Sequence, residues 1–150
     1  MANAIDAKIK YEIGLIDELI DKTLVLIELV ELKKPDFIEL NAIGSVLHSF
    51  YNGIENIFVL VNKNIDEMPI SGDKWHKQLL DSMTENILSR AAVIPESTRD
   101  ILIEYLAFRH FYRHAYGNTL QWDRMEDIFM GIENTWTLVK NDLIVFLNSR

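Results

Sequence analysis

The sequence contains no cysteine, and its 150 residues include only three prolines and six glycines. Without cysteine the chain can form neither a disulfide framework nor a thiolate metal site, so a reducing compartment is permitted. No repeat, low-complexity tract or Gly/Ser linker interrupts the chain, which predicts a single domain over residues 1–150. Hydrophobic residues make up 49% of it, enough to bury a core without covalent staples.

Long apolar runs are missing as well. The longest stretches, such as Leu24–Ile27 and Ile57–Val61, fall far short of the ~18 residues needed to span a bilayer. The first residues lack a basic region followed by an apolar run and a small-residue cleavage site, so no signal peptide is predicted. We therefore expect a soluble, cytoplasmic protein that has no membrane partner.

Positive charge is also scarce, because the formal net charge is −8. This value argues against a general nucleic-acid coat protein. The charge is uneven, however: residues 1–72 hold 12 acidic and 6 basic side chains, whereas residues 73–125 hold seven of each. Three of the four histidines (His76, His110 and His114) also lie in this neutral section. Any site for a polyanion is expected there, while the acidic remainder suits a solubilising surface or a docking surface for a basic partner.

The spacing of apolar residues predicts helices, and almost no segment has the pattern of a strand. Apolar side chains at steps of three and four mark a first helix from about Ala4 to Leu32, which Pro35 ends. The members of this stripe are Ile5, Ile9, Ile13, Ile16, Ile20, Leu24 and Ile27. Asp36 is a good N-cap for a second helix to about Asn62, and a polar loop follows as far as Gly72.

Capping residues and helix breakers divide the rest of the chain into three more predicted helices. They run from the cap Asp73 to about Arg90, from Pro95 to about Tyr116 and Gly117, and from Asp123 to Leu147. We therefore predict an all-α fold, an up-and-down four-helix bundle with an additional short helix.

Two arginines and two histidines lie within six positions near the end of the fourth predicted helix. Arg109 and Arg113 share one helix face, and His110 and His114 share another. Arg109 and His114 are five residues apart, which separates them by ~140° on an ideal helix. They can meet only if the helix frays before Gly117 or if a second molecule completes the site.

These side chains suit the cleavage of RNA. A histidine whose pKa is near ~6.5 can take the proton of a 2′-hydroxyl or protonate the departing 5′-oxygen. A guanidinium donates to the phosphate oxygens where charge builds up, so this chemistry needs neither a metal nor another cofactor. On spacing alone an alternative stays open, in which the arginines form surface ion pairs with Glu104 and Asp100. A metal site built from His110 and His114 is disfavoured, because no carboxylate follows in phase one turn later.

Other polar residues are candidates for supporting roles. Asn52 and Glu55 lie three apart on one face of the second helix, where Glu55 could orient Arg109 or a histidine. They could equally be solvated or satisfy buried groups. His48 is expected to be packed or to lie at a dimer interface. Of the pair Trp75 and His76, we expect the first in the core and the second on the surface, the alternative being that both line an RNA groove.

One motif resembles a known family. Arg109, His114 five positions later and Tyr116 two positions further on resemble the signature of HEPN-domain ribonucleases, in the form found in HepT toxins. The segment Tyr51–Phe58 looks like the second helix of that group, and Gly72–Leu80 looks like the start of its third helix. These landmarks span residues 45–120.

The resemblance implies an HEPN-like bundle that forms a homodimer, with two Arg/His pairs in the groove between the subunits. It implies the toxin of a toxin–antitoxin pair, a metal-independent endoribonuclease that cleaves cellular RNA. Arg109 would stabilise the phosphate and His114 would act as general acid/base. Tyr116 would accept AMP from an MntA-type nucleotidyltransferase antitoxin.

Supporting contacts to RNA are expected from His110, Arg113, Asn52 and Glu55, with ion pairs as the alternative for the first two. The dimer seam is expected to include part of the second and fourth helices. Two other functions remain open on the sequence. One is a catalytically inactive helical binding module that presents substrate or RNA to a partner nucleotidyltransferase, and the other is a plain helical dimerisation protein.

Overall fold

The computed structural model describes residues 2–150, with side chains from Ala4 onward. Within these residues the chain forms six α-helices and two short helical segments of other types. The α-helices are α1 (Ala2–Leu32), α2 (Phe37–Val61), α3 (Trp75–Ser82), α4 (Glu96–His114), α5 (Trp122–Met130) and α6 (Ile132–Asn148). A π-helical turn covers Asn62–Asp66 and a 3₁₀ turn covers Gly117–Thr119. Over this range no strand forms, apart from an isolated bridge between Ile87 and Arg90, so the all-α prediction is confirmed.

Helix α2 is the centre of the fold, because it packs against α1 and α4 and also contacts α3 and α5. Two glycines allow the closest approaches. A Cβ atom at Gly53 would lie 2.8 Å from Cγ1 of Ile16 on α1, and one at Gly44 would lie 2.7 Å from Cε1 of Tyr112 on α4. Any larger residue at either position would force the facing side chain, Ile16 or Tyr112, to shift.

The turn between α1 and α2 follows the predicted capping pattern. An Asp36 carboxylate oxygen accepts from the Glu39 N–H at 2.8 Å, and a Glu39 carboxylate oxygen accepts from the Asp36 N–H at 2.9 Å. A reciprocal cap of this kind is worth about 1 kcal/mol. The apolar stripe of α1 is confirmed at Ile9, Ile13, Ile16, Ile20 and Ile27, which are all buried.

Leu24 departs from the predicted stripe, since it is 36% exposed. Thr23 takes the core position and is 3% exposed, and its hydroxyl donates to the Leu19 carbonyl at 2.7 Å. Position 23 lies three residues after Ile20 and four before Ile27, so it fits the helical period as well as position 24 does. The hydrogen bond to the backbone lets a threonine occupy it.

Helix α3 ends at Ser82, not near Arg90, and the predicted cap Asp73 is wrong because α3 begins after Lys74. The chain turns back instead: the N–H groups of Val93 and Ile94 both donate to the Met83 carbonyl, at 2.8 and 3.2 Å. Helical periodicity cannot reveal this turn, because its partners are distant in the sequence.

Arg90 holds that returning segment in place. Its guanidinium donates to both carboxylate oxygens of Asp66, at 2.7 and 2.9 Å, and to the carbonyls of Ser82, Glu85 and Ala91. The Arg90 side chain is 1% exposed and that of Asp66 4%. The pair therefore joins the π-helical turn after α2 to the segment after α3.

The last predicted helix is two helices, since α5 ends at Met130 and α6 begins at Ile132. Gly131 at the break has φ −88° and ψ 1°, outside the helical range. Helix α5 also begins one residue earlier than predicted, at Trp122, and α4 ends at His114, shortly before the predicted Tyr116 and Gly117. No helix within residues 2–150 is both long and apolar enough to cross a membrane.

Candidate functional site

The basic motif lies on the last turns of α4, and this helix stays regular through His114. Ala115 then adopts an extended conformation, with ψ 149°. Because the helix does not fray between Arg109 and His114, their five-residue spacing keeps them ~140° apart around its axis. Arg109 is half-buried, whereas His114 is exposed. A single chain therefore presents the two groups on different sides of α4.

Arg109 faces α2, where two side chains hold it. Its Nε donates to Oδ1 of Asn52 at 2.6 Å, and its Nη2 lies 3.8 Å from Oε1 of Glu55. The alternative ion pair with Glu104 does not form within residues 2–150, and Asp100 instead accepts from Nε of Arg99 at 3.1 Å. Because α2 places Asn52 and Glu55 one turn apart, the guanidinium is held at two points.

Further contacts extend these into a row that we call the polar chain: His48, Asn52, Arg109, Glu55 and His76. The Asn52 amide nitrogen lies 3.0 Å from Nε2 of His48. At the other end, Nδ1 of His76 lies 2.8 Å from Oε2 of Glu55, whose side chain is only 7% exposed. The polar chain therefore draws on α2, α3 and α4, and Glu55 contacts both an arginine and a histidine.

His76 is therefore not the surface residue that we expected, because its side chain is only 21% exposed and it is bonded to Glu55. The buried carboxylate of Glu55 needs a partner, and α3 supplies one. Trp75 does pack against the core, as predicted, and its ring centroid lies 3.7 Å from that of His76.

The surroundings of His48 disfavour its protonated form. Its burial, together with the positive charges of Arg109 and Arg113, lowers the pKa of His48 below 6.5. Its ring packs against that of Tyr112, with centroids 5.2 Å apart, which agrees with the expectation that it is packed. Since Nε2 accepts from Asn52, the proton lies on Nδ1, which is buried without a partner.

Tyr51, next to Asn52 on α2, is fully buried, and its hydroxyl has no hydrogen-bond partner within residues 2–150. Burial and the nearby carboxylate of Glu55 raise the pKa of its phenol far above the usual value. Tyr51 is therefore neutral, and the charged groups around Asn52 are those of Arg109 and Glu55.

The opposite side of α4 is open. His110, His114 and Tyr116 line a surface groove of about 520 Å³, together with Ala107, Phe111, Ala115 and Thr119. The rings of His110 and His114 lie 5.2 Å apart. Tyr116 lies two residues after the end of α4 on extended backbone, and 80% of it is exposed. Arg113 is exposed too, and it forms no ion pair within residues 2–150.

The two histidines of this groove have no third metal ligand nearby, because residues 2–150 contain no cluster of three or more histidine, aspartate or glutamate side chains arranged to hold an ion.

A profile of the family described as HepT-like protein matches residues 42–149, which is most of the chain and includes both sides of α4. The chain belongs to the HepT-like family. Comparison with curated protein sequences and with solved structures finds no match.

In this HepT-like chain the sequence indicated that Glu55 could orient Arg109 or a histidine, and the structure places Glu55 beside both Arg109 and His76. The sequence did not identify His76 as that histidine, because it lies 21 positions from Glu55, and it did not predict the hydrogen bond between Asn52 and Arg109. One signal could have found the contact with His76. Glu55 lies four residues after Tyr51 and three before Phe58, on the apolar face of a central helix, and a carboxylate buried there requires a cationic or hydrogen-bonding partner from another element.

Proposed function

We propose that this HepT-like protein is the toxin of a toxin–antitoxin pair and cleaves cellular RNA without a metal ion, through Arg109 and His114. One observation carries the proposal: Arg109 is held in place, yet most of its donors are free. Nε bonds Asn52, but neither Nη1 nor Nη2 donates a hydrogen bond within residues 2–150, and 12% of the side chain is exposed. A held guanidinium that has spare donors suits a phosphate.

The reaction is an internal transesterification of RNA. The 2′-oxygen attacks phosphorus and the bond to the 5′-oxygen breaks, which leaves a 2′,3′-cyclic phosphate and a free 5′-hydroxyl. One proton leaves the 2′-hydroxyl and another is added to the 5′-oxygen, and His114 serves one of these transfers. Arg109 stabilises the negative charge on the non-bridging oxygens. His110 and Arg113, both exposed near His114, support contacts to the neighbouring phosphates.

The catalytic pair is completed between two subunits of a homodimer. Arg109 and His114 lie on different sides of a regular helix, so Arg109 of one subunit is matched with the histidine of the other. Phe111, 43% exposed on the same helix, adds apolar surface for the contact. The seam would include parts of α2 and α4, as a two-fold dimer that buries one shared patch requires.

Tyr116 is the point of control by a nucleotidyltransferase antitoxin of the MntA type. Its phenol oxygen attacks the α-phosphorus of ATP, the bond to the bridging oxygen breaks, pyrophosphate leaves and the phenol proton passes to a base. The 80% exposure of Tyr116 makes it accessible to a partner enzyme. Because it lines the same groove as His114, an attached AMP would add bulk and negative charge where the RNA backbone must lie.

Subunit mixing tests the shared site. Arg109→Ala and His114→Ala proteins are each expected to be inactive, and they are unfolded together, refolded together and assayed on total cellular RNA. Half of the dimers then contain one subunit of each variant. Each of these mixed dimers holds one site that has both an intact arginine and an intact histidine. The mixture should recover about a quarter of the wild-type rate.

The control is the double variant Arg109→Ala/His114→Ala refolded with wild-type protein, in which mixed dimers hold no intact shared site. It should give only the activity of the wild-type dimers that remain. No recovery in the first mixture would show that the two residues act within one chain or not at all. A monomeric mass at micromolar concentration would also contradict the shared site.

A further inference from the structure

Cleavage of RNA by the proposed route requires two proton transfers, at the 2′-oxygen and at the 5′-oxygen, on opposite sides of the phosphorus. His114 lies on the side of α4 away from the Arg109 of its own chain. Of the two histidines in the polar chain, His76 contacts the same carboxylate, Glu55, as Arg109 does. We infer that His76 is the second proton-transfer group, taking the 2′-hydroxyl proton while His114 protonates the 5′-oxygen. This inference rests on the proposed function.

The contact with Glu55 determines which nitrogen of His76 can react. Nδ1 lies 2.8 Å from a carboxylate oxygen, and an ionised carboxylate only accepts, so Nδ1 carries a proton and, in the neutral imidazole, Nε2 has the lone pair that can take another. Nε2 has no hydrogen-bond partner within residues 2–150, and it is not one of the buried polar atoms without a partner, which are His48 Nδ1 and Tyr51 Oη. It is therefore open to solvent.

A buried carboxylate that holds one histidine nitrogen and leaves the other free is how many enzymes orient a general base. Here Glu55 is only 5% exposed, so little of its carboxylate is open to water. The ring of Trp75, 3.7 Å from that of His76 between centroids, limits its rotation. His76 is thus held in one orientation, which a histidine placed only to neutralise Glu55 does not need.

The same carboxylate places His76 beside the phosphate-binding group. Oε2 of Glu55 contacts His76 and Oε1 faces Nη2 of Arg109 at 3.8 Å, so the imidazole and the guanidinium are separated by one carboxylate. A phosphate bound by the free donors of Arg109 would therefore lie near the imidazole. The His76 of one subunit and the His114 of its partner would then flank the same phosphate.

Two substitutions of His76 separate catalysis from packing. In His76→Asn the amide nitrogen can replace Nδ1 and still donate to Glu55, but it cannot transfer protons. In His76→Ala both functions are lost. The control is Gln78→Ala, since this exposed residue lies two positions further along α3 and points away from His76. Cleavage of total cellular RNA and the urea unfolding midpoint are measured for each protein.

We expect His76→Asn to unfold at the wild-type midpoint and to cleave RNA about 10²–10⁴-fold more slowly, while Gln78→Ala cleaves at the wild-type rate. Wild-type activity in His76→Asn would overturn the inference and leave His76 as a structural partner of Glu55. An inactive wild-type protein would overturn the proposed function, and this inference with it. The two failures are therefore distinguishable.

A further measurement is needed if neither His76 variant folds. Nitrogen-15 NMR of the wild-type protein then follows Nε2 of His76 while an oligomer of 2′-O-methyluridine, which lacks the attacking hydroxyl, is added. The inference requires the Nε2 resonance to shift as the oligomer binds. An unchanged resonance, while those of His110 or His114 shift, would overturn it.

Discussion

Arg90 and Arg109 are both held by side chains from α2 or from the turn after it, yet their guanidinium groups are satisfied to different degrees. Arg90 uses all three nitrogens in five hydrogen bonds, and its side chain is 1% exposed. Arg109 makes one hydrogen bond and one longer contact, and its side chain is 12% exposed. The difference separates an arginine whose donors are all used to join two segments from one that is held in place with unused donors.

The carboxylates that contact the two arginines show the same contrast. Asp66 is paired with Arg90 through both carboxylate oxygens, whereas Glu55 divides its oxygens between Arg109 and His76. Removing Arg90 would leave a buried carboxylate with no counter-charge. Removing Arg109 would leave Glu55 bonded to His76. Stability should therefore depend on Arg90, and activity should depend on Arg109.

Arg90→Ala tests the first half of this comparison and should have the largest effect on folding. Breaking a buried ion pair from one side costs about 3–5 kcal/mol, and three backbone carbonyls lose their donor as well. Urea unfolding of Arg90→Ala and Arg109→Ala measures both changes, and the loss at Arg109 should be clearly smaller. Equal losses would show that the two arginines are structural to the same extent.

Asn52→Ala tests how Arg109 is held. Without the 2.6 Å hydrogen bond to Nε the guanidinium can move by about 1 Å, and a displacement of that size can lower a catalytic rate ~10²-fold. Asn52→Asp is the matched control, because its carboxylate still accepts from Arg109, and it should cleave RNA faster than Asn52→Ala. If the aspartate variant were as slow as the alanine variant, the acceptor at position 52 would not be what holds Arg109.

Arg109 and Arg90 also differ in how much of their surroundings the sequence could predict. The cap at Asp36, the apolar face of α1 and the Arg109, His114 and Tyr116 motif were all visible, because each depends on residues a few positions apart. The end of α3 was not visible, since Arg90 bonds Asp66 from 24 positions away. Long-range partners of this kind override local periodicity.

Tyr116→Phe tests whether Tyr116 has a regulatory function separate from catalysis. The variant should leave RNA cleavage unchanged. A phenol is a poor base at neutral pH, and within residues 2–150 the hydroxyl of Tyr116 forms no hydrogen bond with Arg109 or His114. The variant should nevertheless escape silencing when it is co-expressed with a nucleotidyltransferase antitoxin. Mass spectrometry of the wild-type pair should find AMP on the peptide that contains Tyr116. An adduct on Tyr112 or Tyr105, or a silenced phenylalanine variant, would refute the assignment.

His48→Gln should give the smallest effect, visible as a change in pH dependence. The lowered pKa of His48 means that the unfolded chain binds a proton before the folded chain does, so stability falls as the pH drops below about 6.5. Glutamine can still accept from Asn52 but does not titrate. The urea midpoint of the variant should therefore fall less than that of the wild type between pH 6.5 and pH 5. Parallel curves would mean that His48 is free to protonate in the folded state.

The most direct test is RNA cleavage by the purified protein in the presence of EDTA. Wild-type protein should cleave total cellular RNA and leave 2′,3′-cyclic phosphate ends, because in the proposed mechanism Arg109 and His114 provide the charge stabilisation and proton transfer that a metal would otherwise supply. Arg109→Ala and His114→Ala should each be at least ~10²-fold slower, with circular dichroism spectra like that of the wild type. Cleavage that EDTA abolishes, or that survives either substitution undiminished, would contradict the account.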